Sequence, residues 1–147
     1  MLRNVLAVLA AFFVGGLCVF AVEMIGHRVY PLPEGVDPND MKQIADYIKT
    51  APPGSILFVL LAQSTGSFVG GVVTGLISRV NKTTTAIFYG VLGLIMAGLN
   101  LALIPHPLWF AVLSILLPIP LAILGSRLAS KSVLSESNAT PEAADGH

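Results

Sequence analysis

The sequence predicts an all-α protein: an antiparallel four-helix transmembrane bundle with an extra amphipathic helix in its first extracytoplasmic loop. Three observations carry that prediction. Four separate apolar runs are each long enough to cross a hydrocarbon core of roughly 30 Å at about 1.5 Å per residue. Charged residues make up 11% of the 147 and hydrophobic ones 54%, whereas an ordinary soluble domain is about 25% charged. The segment between the first two runs repeats apolar residues at helical rather than membrane-spanning length. Mean hydropathy is +0.81, and the net charge of zero without a Lys/Arg run excludes nucleic acid as a partner. The partners this composition implies are the lipid bilayer and either a second copy or a larger membrane protein.

The first span is placed at 5–25. An Arg3-led apolar run resembles a secretory leader, but it exceeds the 7–15 residues or so of a leader's apolar region. Near its end stand Glu23 and His27, four apart and therefore on one helical face. A carboxylate inside a span costs roughly 2.5–3.5 kcal/mol on insertion scales, so Glu23 is expected to face protein or water. Cys18 lies mid-span as a small hydrophobe with no disulfide partner in the sequence.

Prolines in Tyr30-Pro-Leu-Pro-Glu-Gly prevent helix after the first span. Asp37 then suits an N-cap with Pro38 at the first helical position. Met41, Ile44, Ala45 and Ile48 follow as one stripe, which predicts an amphipathic helix over 38–49 lying on the membrane or covering the bundle.

The second span, 56–78, carries Gly66 with Gly70 and Gly71 with Gly75. Each pair is four apart, a spacing that lets neighbouring backbones approach. No Gly-Lys-Ser/Thr ending accompanies these glycines, so a phosphate loop is excluded. A short turn at 81–84 makes the third span, 85–104, an antiparallel neighbour of the second. Ala86, Gly90, Gly93, Ala97 and Asn100 form its small face, expected to pack on the second span and to carry Asn100 inward. Ile104-Pro-His-Pro-Leu-Trp-Phe110 is a turn held between two prolines. The fourth span, 108–125, contains Pro118 and Pro120, which should kink it and free carbonyls. Residues 1–129 thus form one membrane domain, followed by a disordered cytoplasmic tail at 130–147.

Arg3, Arg79, Lys82, Arg127 and Lys131 fall on one side of the spans, and Arg28, Lys42 and Lys49 on the other. That bias predicts cytoplasmic termini in a plasma (inner) membrane. At about 1.5 Å per residue, Glu23, Gln63, Ser64, Asn100 and Ser114 lie at similar depth, roughly 5–13 Å below the outer surface. His27, Tyr30 and His106 cap this layer. The eight residues are the candidate ligand-binding set, and Glu23, His27 and His106 are of the types that hold a transition-metal ion. Such polar residues also bond between membrane helices for purely structural reasons. Two further classes stay open: an accessory subunit of a membrane complex, and an enzyme acting on lipid or quinone with Glu23 as base. No nucleophile motif or cofactor fingerprint supports the enzyme.

The stretches Val22-Glu-Met-Ile-Gly-His27, Tyr30-Pro-x-Pro-x-Gly-x-Asp-Pro38 and Ile104-Pro-His-Pro-x-Trp-Phe110 resemble a group of small bacterial four-span membrane proteins. The resemblance implies a bacterial plasma-membrane protein and brings no mechanism with it.

Overall fold

The computed structural model describes residues 2–79 and 81–138, with side chains described as far as Lys131. Among these residues every regular element is helical: α1 (Leu2–Val29), α2 (Met41–Ile48), α3 (Pro53–Ile77), α4 (Lys82–Leu103), α5 (Leu108–Leu116) and α6 (Pro118–Asn138). Four stretches are long and apolar enough to cross a membrane: α1, α3, α4, and α5 with the first part of α6. The chain is a multi-pass membrane protein by that measure.

Proline sets most of the boundaries. Pro31 stops α1, Pro53 opens α3 at a position where its missing N–H is no loss, and Pro107 precedes α5. Asn81 enters α4 at φ 55, a left-handed conformation that Asn adopts more readily than most residues. The C-terminal end of α3 is capped from a distance, because Arg3 Nε donates to the Ile77 carbonyl oxygen at 2.7 Å. A cation there also meets the negative end of the helix dipole.

α3 is the central element and packs on α1, α4, α5 and α6. The core is made chiefly of small residues: Ala7, Ala11, Ala62, Ala86, Ala97 and Ala122 are buried, with Phe110 and Tyr89 among the larger side chains. Gly71 and Gly75 lie against the backbone of Ala122 and Ser126, and Gly125 lies in return against the Phe68 carbonyl. This seam brings main chains together, so dispersion between backbones replaces the hydrophobic drive that lipid cannot supply. Gly66 meets Gly15 and Val19 of α1, and Gly70 meets the Tyr89 ring. The Tyr89 hydroxyl donates to the Gly66 carbonyl oxygen at 2.9 Å.

The small face of α4 differs from expectation. Gly90 and Gly93 pack on Pro118 and Ile119 of α6, with Gly93 reaching Ser67 of α3 at its edge. Pro118 explains the preference, since the compact ring beside a helix break fits the groove that the glycines leave. The break itself was expected. α5 ends at Leu116 and α6 begins at Pro118, and Gln63 Nε2 donates at 3.0 Å to the Ser114 carbonyl, which the proline nitrogen has no hydrogen to reach. α6 continues to Asn138, so helix occupies the start of the tail expected from Ser130; residues 139–147 lie outside the described residues.

Candidate functional site

α1, α3 and α4 approach one another closely where glycine and alanine line their contacts, and they part where larger side chains return. At the end bearing α2 they leave a cavity of about 310 Å³. Its lining comes from the last turns of α1 (Glu23, Gly26, His27, Tyr30), from α2 (Met41, Ile44, Tyr47, Ile48), from the start of α3 (Ser55, Ile56, Phe58, Val59) and from Asn100, Ile104 and His106.

Five of the eight residues singled out in the sequence therefore meet: Glu23, His27, Tyr30, Asn100 and His106. Glu23 is half-buried on the cavity side of a helix whose other faces are apolar, and His27, one turn on, is exposed. Asn100 is exposed at the cavity edge rather than carried into the interior. The reason is the α4–α6 contact, which turns Gly90 and Gly93 toward Pro118. Gln63, Ser64 and Ser114 are not in the lining. Gln63 serves the helix break instead, and Ser114 is buried, at 1% exposure, with its Oγ unpartnered.

The three residues expected as metal ligands do not form a metal-holding group. Among the described residues no three His, Cys, Asp or Glu side chains gather closely enough to hold an ion. Glu23 and His27 line the cavity from α1 and His106 lines it from the turn before α5, where its Nδ1 is already engaged. His106 Nδ1 donates to the Ile104 carbonyl at 2.7 Å, and its ring stacks on Phe110 at 4.4 Å between centroids. Burial holds this imidazole below its usual range, against a smaller raising effect of the Ile104 bond.

The cavity is held in shape by aromatic contacts and by one turn of capping. Tyr30 packs edge-on to Phe58, with ring centroids 6.0 Å apart, and its hydroxyl end fits over Gly54, where a side chain would collide with it. α2 is capped by Asp40 and not by Asp37. Asp40 accepts from the amides of Lys42 at 2.9 Å and Gln43 at 3.3 Å, while Asp37 closes a local turn on Asn39. Asp40 wins because Gln43 stands three residues on and adds a side-chain bond at 2.9 Å, the spacing of a capping box.

Tyr47, Phe58 and Ser55 were not anticipated in the lining. Tyr47 follows the Ile44 stripe by three residues, a position from which the cavity wall could have been extended. Phe58 and Ser55 carry no such signal, because one apolar face of a spanning helix looks like another. No protein-family model, curated protein or solved structure matches this chain.

Proposed function

We propose that this chain is a multi-pass protein of the plasma membrane, with cytoplasmic termini, that binds a small amphiphilic ligand in the cavity beneath α2. In this reading the helices form an antiparallel bundle and α2 is an amphipathic lid at the outer face. The contact pairs support the direction: Gly15 with Gly66 and Gly26 with Phe58 run oppositely along α1 and α3. The Lys/Arg bias supports the orientation.

One observation carries the ligand reading. Glu23, His27, Asn100 and His106 line one cavity whose other walls are mostly apolar, formed by Met41, Ile44, Ile48, Ile56, Phe58 and Val59. Mostly apolar cavities with a few converging polar groups are the usual form of a small-molecule site. The volume of about 310 Å³ lies at the lower end of the range for such sites, roughly 300–1,000 Å³. An accessory role built on the glycine faces has less support, because Gly66, Gly70, Gly71, Gly75, Gly90 and Gly93 are covered by the chain's own helices.

The test is native mass spectrometry of the protein released from nanodiscs. Wild type should retain a small-molecule or lipid adduct that Ile44→Trp, which fills the cavity from the lid, loses while keeping its helical circular dichroism. Equal adducts on both proteins would remove the reading.

A further inference from the structure

The charge of the cavity wall is one-sided. Glu23 lines it, and among the described lining residues none is Lys or Arg. The cations nearest in sequence lie outside the lining, and one of them, Lys49, is paired with Asp46 at 2.7 Å. His106 donates its Nδ1 hydrogen to Ile104, and burial favours the neutral ring, whose second nitrogen is then an acceptor. His27 also lines the cavity, one turn from Glu23 and exposed to solvent. Tyr30, Tyr47 and Phe58 add three aromatic rings to the wall, and ring faces attract cations most strongly where water is thin.

We propose that the cavity selects a hydrophobic organic cation, an ammonium or phosphonium centre carried on an apolar body, with Glu23 as its counter-ion and the aromatic wall around it. The proposal rests on the reading that the cavity is a ligand site and adds the sign of the ligand's charge. A half-buried carboxylate that shares its wall with an exposed imidazole and with no Lys or Arg is stabilised by an arriving cation, whereas an anion there would be repelled by Glu23. A neutral ligand would gain from Asn100 and His106 but would leave Glu23 unmatched. The same cationic centre could be presented by a free molecule or by the amine of a lipid headgroup.

Tetraphenylphosphonium and tetraphenylborate have nearly the same shape and opposite charge, so they separate sign from fit. Binding of each is measured by equilibrium dialysis to the full chain in phosphatidylglycerol nanodiscs. It is counted as the difference between wild type and Ile44→Trp in the same discs, which removes uptake by the bilayer. The phosphonium should bind the wild-type site at least about tenfold more tightly than the borate, and Glu23→Gln should remove about that factor, the loss expected for a charge-assisted contact. Glu23→Asp should restore part of it. Equal binding of the two ions, or a Glu23→Gln protein that still prefers the phosphonium, overturns the cation assignment and leaves the cavity reading standing. No difference between wild type and Ile44→Trp for either ion overturns both. Repeating the measurement with phosphatidylethanolamine in the discs identifies the source: competition by that lipid supports a headgroup amine as the natural cation, and unchanged affinity supports a free one.

Discussion

Where α3 passes Ala122 and Ser126, its main chain lies against that of α6; where α3 begins, Gly26 of α1 rests on the Phe58 side chain and a cavity opens beside that contact. The two regions belong to one helix and differ in residue size. Glycine at 66, 70, 71 and 75 removes the Cβ atoms that would keep neighbours apart, so this part is close-packed by backbone contact. Near Phe58 the helix meets Gly26 of α1 through a side chain instead, and the cavity lined by Glu23 and Asn100 lies beside that contact. The first region is where stability is expected to reside, and the second is the proposed ligand site.

The largest effect should come from breaking the close-packed part. Gly71→Leu places side-chain atoms on the Ala122 backbone, which no rotamer change relieves, and overpacking that moves backbone costs about 3 kcal/mol, the upper end of the usual range. Gly16→Ala, one residue beyond the Gly15 contact, meets nothing within 4 Å. It should be neutral or should stabilise by up to about 1 kcal/mol through helix propensity. Thermal unfolding in detergent, followed by circular dichroism, checks the pair. Similar melting temperatures for the two variants would mean that the seam does not hold the helices together.

Next in size is the helix break. Gln63→Leu removes the donor to the Ser114 carbonyl and should cost about 1 kcal/mol. Pro118→Ala supplies an N–H that can reach the same carbonyl along the helix, so the loss from Gln63→Leu should shrink in that background. A double-mutant cycle on unfolding free energies measures this coupling. Strict additivity would show that the proline and the glutamine are unconnected.

That pairing also shows what could be read from sequence. Pro118 announced a kink and a freed carbonyl, because a missing N–H is a covalent fact. The spans and the glycine spacings were equally legible, since length, apolarity and residue size determine them. Which helix each glycine would meet was not legible. Gly90 and Gly93 could have faced α3 or α6, and the choice was made by the shape of a partner distant in sequence. Ala7, Ala11 and Gly15 stand four apart and carried the same signal as the α3 glycines, yet the Glu23 end of that helix drew the reading. Depth counting grouped Glu23 with Asn100, and both line the cavity. It also grouped Gln63, Ser64 and Ser114 with them, because depth fixes height in the membrane and says nothing of the angle around each helix.

In the open region the effects are smaller and depend on conditions. Burial lowers the His106 pKa, so the unfolded chain, titrating at about 6.5, takes up the proton first as pH falls. The contribution of the neutral ring is complete above the unfolded value and is lost as pH drops through it toward the lower folded value. Between about pH 7.5 and about pH 5 the melting temperature of wild type should fall more steeply than that of His106→Gln, which has no proton to gain there. Parallel slopes would place the ring in water in both states.

The smallest effect on the molecule as a whole should come from Asp40→Ala, and it is the sharpest probe of the boundary between the two regions. Asp40 bonds two α2 amides and the Gln43 side chain, and those bonds hold its carboxyl below the usual range. Alanine leaves the first turn of a short helix without acceptors, and a helix of eight residues persists only through its caps and its packing. Amide exchange in α2 should therefore quicken while the melting temperature stays within about one degree, since cooperative stability resides in the α3–α6 seam. Asp40→Asn, which can still accept from the same amides, should restore slow exchange. A fall in melting temperature approaching that of Gly71→Leu would mean that α2 and the seam unfold together, and the division between a close-packed part and an open one would then fail.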